Sequence, residues 1–385
     1  MPVNYHQIES RLPEYGKRMK EFETALAQAE QALWEQFTRL DEDVAALRAK
    51  IEKAEAQLRR LYCAKPVSEP LLTHKAAPLP PAGYTLIAAD GSQIAPNRHR
   101  PVQFGVINVG LIQAHLGSNQ APEVSIQSTL LDPEELLNPE GNLIGEDEVA
   151  LYRDFAERRA LMEATLTVPA PVIALTDGLL DIYQQYSAPQ LNFQAEMYKI
   201  HQQLEARGVI SAGYIDKPGA EMLSRMLDLM QTPEMDLVAY DDQKRRLRGI
   251  SDARLLAKLL TEAGERSAVF ETVSKGAAQS HLKVHFFYMN ISLGSMPYLA
   301  RVEFPAWLSG QPELVDLLHA VIFQEVQVLD RHPYPYLLHR AHELAVISVQ
   351  EHEQVEAMLL QEYARQGLHA GLHSNKDANK QLLKI

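Results

Sequence analysis

TLIAADG, residues 85–91, is an apolar run that ends in an aspartate followed by a glycine. The pattern returns in VIALTDG, residues 172–178, where Asp177 precedes Gly178. Each run has the length and the apolar character of a buried strand. An Asp-Gly step also makes an ordinary turn, which is a sufficient explanation for either aspartate alone. Two such steps at the ends of neighbouring strands predict a functional site, because sites in open α/β sheets form where strands end.

The segments around these two runs predict the fold. We expect strands at 85–89, 103–112, 123–131 and 172–176, with one helix at 148–166. Three sequential strands, a helix and a buried strand indicate an α/β fold with a mixed sheet flanked by helices. Further helices and strands follow, and the last helix is predicted to run unbroken over 336–361.

The first 63 residues have a different pattern. From residue 8 to residue 61, apolar or small side chains recur at alternating spacings of four and three, with one break between Leu33 and Phe37. This period predicts a long coiled-coil-like helix, continuous over 17–62, that pairs with a partner or folds back. The predicted domains are therefore a helical segment (1–63), a proline-rich linker (64–82), a main domain (83–370) and a flexible tail (371–385).

Composition restricts the classes of function. The 385 residues carry a formal net charge of −13, which argues against a general nucleic-acid coat protein. An enzyme with a local basic track remains compatible, and surface charge alone would explain most of the candidate clusters. No membrane span or signal peptide is predicted, and the single cysteine, Cys63, favours a cytoplasmic protein. The candidate clusters are Lys244 to Arg248 (with Arg245, Arg246 and Arg248), Arg98 to Arg100, and Lys275 with Lys283.

A third carboxylate is predicted on the helix before Asp177. Glu163 lies between Met162 and Leu166, so we expect it to be half-buried, either as a metal ligand or in a surface salt bridge. Glu157 is about 240° around the same helix and is expected to point elsewhere. Carboxylate oxygens suit Mg²⁺ or Mn²⁺, and an added imidazole favours Mn²⁺.

Three later residues have two interpretations each. His342 lies in an apolar helical segment, where a histidine is either a ligand or an ordinary packed residue. Tyr334 lies in a proline-braced turn and either positions a phosphate or a water, or simply packs. Lys217 follows a predicted strand end, where it either neutralises a reacting phosphate or is an exposed turn lysine.

Several motifs, in this order, resemble the NurA nucleases over residues 84–356. They are ADGSQ (89–93), RRALMEATL with LTDGLL (158–180), AGYIDKPGA (212–220), GERSAVF (264–270), PYLARVEFPAWL (297–308) and HPYPYLLHRAHELAVIS (332–348). The resemblance implies a ribonuclease H-like fold, a homodimer, Mn²⁺-dependent 5′ end resection of DNA in double-strand break repair, and a HerA-type hexameric ATPase as partner. It places the catalytic site on Asp90, Glu163, Asp177, Tyr334 and His342.

The expected reaction is hydrolysis of DNA phosphodiesters with two Mn²⁺ ions, or Mg²⁺ as the alternative. Asp90 and Asp177 would hold one ion, and Glu163 or His342 would share the other. The sequence contains no G-x-x-x-x-G-K-[ST] motif, so a motor would have to come from a partner. Two alternatives remain: a non-catalytic coiled-coil adaptor with a nuclease-like body, and an RNA-directed hydrolase of the same fold.

Overall fold

The computed structural model describes residues 3–41, 43–181, 188–240, 248–275, 282–329 and 331–371. Its contacts divide the chain into two units. The first unit comprises Met1–Pro78, Ile215–Gln279 and Lys283–Gly310, and the second comprises Leu79–Tyr214, Ser280–Leu282 and Gln311–Ile385. The predicted tail beyond Gly371 lies outside the described residues.

Both units mix helices and strands, which confirms the predicted α/β class. The helices are α1 (Tyr5–Glu9), α2 (Leu12–Arg39), α3 (Val44–Gln57), α4 (Glu146–Ala164), α5 (Ala188–Ala206), α6 (Met222–Gln231), α7 (Asp252–Leu256), α8 (Pro312–Gln327), α9 (Tyr336–Ala345) and α10 (Val349–Arg365). The strands are β1 (Leu61–Pro66), β2 (His74–Lys75), β3 (Tyr84–Ile94), β4 (Val106–Leu116), β5 (Glu123–Leu130), β6 (Val172–Asp177), β7 (Ile210–Ile215), β8 (Arg266–Ser267), β9 (Phe270–Lys275), β10 (Val284–Asn290) and β11 (Leu299–Pro305).

The sheet of the second unit runs in the order β7-β6-β3-β4-β5. β3, β4 and β5 are antiparallel neighbours, whereas β6 and β7 run parallel to β3 after the crossover helices α4 and α5. Three antiparallel strands followed by two parallel ones confirm the predicted ribonuclease H-like mixed sheet. β3 and β6 lie in the middle and are buried along the residues that lead to the two aspartates, as their continuous apolar runs predict.

The C-terminal helix is interrupted, so the prediction of one helix over 336–361 is wrong. α9 ends at Ala345, and α10 begins after Ser348. The Oγ atom of Ser348 accepts a hydrogen bond from the N–H of Glu351, and a carboxylate oxygen of Glu351 accepts one from the N–H of Ser348. This reciprocal capping box starts a new helix, and it separates the part of the chain that reaches the site from α10.

The N-terminal segment is also interrupted, which corrects the prediction of one helix over 17–62. α2 ends at Arg39, and Asp43 caps α3 by accepting a hydrogen bond from the N–H of Ala46. The apolar residues from Leu26 onward are buried in the core of the first unit with α6, so this chain covers most of the stripe itself. The exposed apolar residues of the stripe lie before them, at Ile8, Leu12, Tyr15, Met19 and Phe22.

The predicted linker over 64–82 is wrong at its start. Residues 61–66 form β1, which pairs antiparallel with β9, and Cys63 and Ala64 are fully buried. β1 is an edge strand of the sheet, where the missing N–H of Pro66 is tolerated. The pairing joins residues about 200 positions apart, a contact that local composition does not reveal.

Candidate active site

Asp90, Asp177 and Tyr214 form a row across three neighbouring strands. Ala89 on β3 pairs with Thr176 on β6, so the next residues along both strands, Asp90 and Asp177, lie at the same level. Asp177 pairs in turn with Tyr214 on β7. Residues at one level of a parallel sheet point to the same face, on strands about 4.8 Å apart. The structure therefore brings the two sequence-predicted aspartates together.

His342 reaches this row from α9. Its Nδ1 atom lies 2.7 Å from Oδ2 of Asp90. Gly110 pairs with Asp90 across the strands, and an added Cβ atom there would lie only 2.6 Å from the carbonyl oxygen of Ala341. The absence of a side chain at Gly110 thus lets the backbone of α9 approach the sheet beside Asp90. The His342 side chain is 62% exposed, which leaves it accessible to a substrate.

Tyr334 contacts the other end of the row. Its ring packs edge-on against Tyr214, with 5.3 Å between ring centroids, and its hydroxyl donates a hydrogen bond to the carboxylate of Asp177. Burial and the adjacent Asp177 charge raise the pKa of Tyr334, so the phenol stays protonated and keeps donating. Desolvation also raises the pKa of Asp177, and the Asp90 charge adds to it, against the lowering effect of the Tyr334 bond.

Glu157 supplies the third carboxylate of this neighbourhood. An added Cβ atom at Gly91 would lie 2.6 Å from its Oε1 atom, so the glycine after Asp90 makes room for the Glu157 carboxylate. The pKa of Glu157 is raised to about 8, chiefly by burial, and the charges of Asp154 and Asp90 contribute to the rise against the lowering effect of two neighbouring arginines. The sequence analysis considered Glu157 and set it aside in favour of Glu163, although the small residue at Gly91 was a signal that a side chain from α4 approaches the strand there.

Glu163 does not lie in this neighbourhood. Its side chain is 52% exposed and lies 3.8 Å from Arg159, one turn away on the surface of α4. Of the two expectations for Glu163, the structure shows the surface salt bridge, and the apolar neighbour Leu166 is itself 50% exposed. The face of α4 that meets β3 is that of Glu157, about 240° away around the helix.

Two buried side chains, the cationic Arg158 and the neutral His201, hold the turn after Asp177 in place. The Arg158 guanidinium donates hydrogen bonds to the carbonyl oxygens of Asp154, at 3.1 Å, and Leu179, at 2.7 Å. His201 hydrogen-bonds the backbone of Leu180, and burial lowers the pKa of His201 to about 3, so the ring is neutral. These hydrogen bonds therefore fix the position of α4, which carries Glu157, relative to the end of β6, which carries Asp177.

The predicted cationic residues have different environments. Lys217, in the first unit, is exposed with a φ of 45°, and its Nζ atom lies 5.9 Å from the centre of the Tyr298 ring. Arg248 is exposed in the same unit, whereas Arg245 and Arg246 lie outside the described residues. Of the second candidate cluster, Arg100 is engaged in an ion pair with Glu356. Binding of nucleic acid by Lys217, Arg245, Arg246 and Arg248 stays a prediction.

The donor atoms at the row suit a hard divalent cation. Asp90 and Asp177 are adjacent carboxylates, and burial together with the Asp90 charge raises the pKa of Asp177. Carboxylate oxygens with one imidazole are the set that Mn²⁺ and Mg²⁺ accept. In the part of the chain that the structure describes, no three His, Cys, Asp or Glu side chains are already gathered around a single point. The two aspartates are therefore the minimal ligand set that the geometry supports.

The chain is similar to one protein family and to several solved structures. The family model of the NurA domain matches residues 84–347. The curated proteins gave no significant match. Among solved structures, the crystal structure of Drosophila Piwi is similar at a TM-score of 0.28 and 11% identity, covering 68% of this chain and 29% of that chain. The crystal structure of LC9-RNase H1, a type 1 RNase H with the type 2 active-site motif, gives a TM-score of 0.22 and 13% identity, covering 39% and 70%.

Proposed function

This chain belongs to the NurA family, and we propose that it is a metal-dependent deoxyribonuclease that hydrolyses DNA phosphodiesters at the row of Asp90 and Asp177. The observation that carries the proposal is the placement of these aspartates at one level of neighbouring strands, with His342 on one and Tyr334 on the other. Within this proposal the enzyme resects 5′ ends in double-strand break repair.

Asp90 and Asp177 would hold one divalent ion, and either Glu157, in place of Glu163, or His342 would share the other. When bound, Mn²⁺ or Mg²⁺ would supply Lewis-acid stabilisation of the phosphate and a nucleophilic water at neutral pH. Glu157 is a candidate for this role because its carboxyl group is buried near Asp90, although it lies 3.2 Å from Arg153, which a metal ion would have to displace.

The protein residues would orient the reacting groups and move protons. Asp90 fixes the His342 ring through Nδ1, which leaves Nε2 of the exposed imidazole for the substrate. In that position His342 would exchange a proton with the attacking water or the leaving 3′ oxygen. Tyr334 remains protonated and orients the Asp177 carboxylate through its hydroxyl.

The partners are part of the same proposal. The exposed stripe of Ile8, Leu12, Tyr15, Met19 and Phe22 supports a homodimer, because its four-three spacing is that of a helix pairing face. A HerA-type hexameric ATPase would supply the motor that this sequence lacks. The lone Cys63 supports action in the cytoplasm. No helix in the described residues is long and apolar enough to cross a bilayer.

The experiment that tests the proposal compares labelled double-stranded DNA, single-stranded DNA and RNA of one sequence, in Mn²⁺, Mg²⁺ or EDTA. We expect cleavage of DNA in Mn²⁺, loss of cleavage in EDTA, and no cleavage by Asp90→Asn or Asp177→Asn. A folded wild-type protein that leaves all substrates intact would support the adaptor alternative. Preferential cleavage of RNA would support the RNA-directed hydrolase.

A further inference from the structure

A cleft of about 840 Å³ lies in the second unit beyond the catalytic row. It is lined by three segments, residues 93–99, 141–144 and 347–349, together with Glu146 and His352. Two of these segments continue the elements that carry the site. β3 runs from Asp90 to the cleft in three residues, or roughly 10 Å at the rise of a strand. The chain after α9, which carries His342, enters the cleft at Ile347.

The walls of the cleft combine two kinds of surface. Ile94, Leu143 and Val349 supply apolar area, whereas Arg98 and His99 supply hydrogen-bond donors. Arg98 is exposed and makes no ion pair with any residue that the structure describes. A cleft of this volume fits a small organic ligand, which binds through apolar walls and a few polar groups that fix its orientation.

The loop that carries Arg98 and His99 is fixed in place. The Arg100 guanidinium lies 3.0 Å from the largely buried carboxylate of Glu356 on α10. The N–H of Gly371 donates to the carbonyl oxygen of Pro101 at 2.8 Å. The side-chain amide of Gln93, on β3, donates to the carbonyl oxygen of Glu146 at 3.0 Å. These contacts hold the walls of the cleft in place. Arg100 stabilises the loop, whereas Arg98 is exposed and can contact a ligand.

We propose that this cleft binds one nucleotide unit of the substrate strand, next to the phosphodiester that is cleaved. The base lies against Ile94, Leu143 and Val349, and its phosphate contacts Arg98. This assignment rests on the proposed nuclease function. It gives a protein with a net charge of −13 one local cation for one phosphate of the substrate.

Binding of dTMP, thymidine and inorganic phosphate to the full-length protein in EDTA, measured by calorimetry, tests the cleft without metal or turnover. We expect dTMP to bind more tightly than either of its parts. Arg98→Ala should weaken dTMP binding roughly fivefold or more, because it removes a charge-assisted contact. Asn142→Trp, which fills the cleft without changing its charge, should weaken it as well. Arg365→Ala, at an exposed arginine of the same unit, should bind as the wild type does.

Three results would overturn the proposal: no binding of dTMP at millimolar concentration, phosphate binding as tightly as dTMP, or unchanged binding by both cleft variants. DNA cleavage in Mn²⁺, measured on the same proteins, separates this inference from the proposed function. If the wild type cleaves DNA and both cleft variants match it in KM, only the cleft assignment fails. If dTMP binds as expected but DNA stays intact, the nuclease function fails and the nucleotide site stands.

Discussion

The Nδ1 atom of His342 lies 2.7 Å from Oδ2 of Asp90, across 252 positions of sequence. The contact depends on the close approach of α9 to β4 at Gly110. Two hydrogen bonds also hold the end of α9 against the sheet: the side chains of Ser92 and Asn108 both donate to the carbonyl oxygen of Ala345. Because the His342 side chain is mostly exposed, it contributes little to the core, and its fixed position next to Asp90 suits a role in chemistry.

His342→Gln should lower specific activity by roughly 10²–10⁴-fold, the usual contribution of a positioned acid–base group. Its melting temperature should stay near that of the wild type, because the side chain is mostly exposed. The matched control is His339→Gln, a partly exposed histidine of the same helix that lies 3.4 Å from Glu343. Lower stability with unchanged turnover in His342→Gln would return this residue to a packing role.

Glu157→Gln should abolish cleavage, whereas Glu163→Gln on the same helix should retain it. Both variants should melt close to the wild type in EDTA at pH 7. The Glu157 carboxyl, with a pKa of about 8, is already mostly neutral there, and Glu163 makes only a surface ion pair. Specific activity and thermal melting of the two variants decide the assignment. The opposite order of activities would show that Glu163 is the ligand.

Divalent metal should stabilise the folded protein. An ion that binds only the native state at about 100 times its Kd adds about 2.7 kcal/mol, which a thermal scan detects as a raised Tm. We expect this shift in millimolar Mn²⁺ and its reversal by EDTA. Asp90→Asn and Asp177→Asn should lose it, because each removes a carboxylate from the row. An equal shift in the wild type and both variants would place the metal elsewhere.

Glu325 should make stability depend on pH. Burial raises the pKa of Glu325 from 4.5 to about 7, although its carboxylate accepts a hydrogen bond from the N–H of Leu337 at the start of α9. A group with a raised folded-state pKa stabilises the fold below its unfolded pKa and loses that contribution as pH rises through the folded value. The loss should be roughly 3 kcal/mol between about pH 4.5 and 8.

Urea unfolding in EDTA across this pH range measures the effect. Glu325→Gln should show a flatter dependence than the wild type, because the amide does not titrate. Glu313→Gln, at an exposed position of the same helix, should follow the wild-type profile. Identical profiles for Glu325→Gln and the wild type would exclude Glu325 as the source.

Replacing Tyr15 and Phe22 by glutamate should shift a dimer toward monomer. These side chains are 61% and 56% exposed and belong to the apolar stripe of α1 and α2. Charge in a paired apolar face is costly, whereas Lys17→Glu, on the same helix but outside the stripe, should leave assembly unchanged. Sedimentation at micromolar concentration measures the result. A wild-type protein that sediments as a monomer would contradict the homodimer.

The local sequence was sufficient for the central strands and their aspartates. A continuous apolar run reports a buried strand through residues that are neighbours in the chain, so the adjacency of Asp90 and Asp177 was predicted correctly. The predicted strand end is correct for Asp177 but wrong for Asp90, because β3 continues through Gly91 to Ile94. The capping pattern of Ser348 and Glu351 is equally local and marks the break before α10. The prediction of one helix followed the apolar period and did not use this pattern.

Only the tertiary structure decided which glutamate of α4 meets β3 and where the N-terminal stripe is covered. Glu163 lies between Met162 and Ala164, whereas Glu157 precedes two arginines, so the local sequence favours Glu163. The choice instead depends on the space that Gly91 leaves on a strand more than sixty residues away. The pairing of β1 with β9 likewise joins distant segments that composition assigns to a linker. Periodicity identifies a face and its chemistry, but the partner of that face is set by packing between residues far apart in the chain.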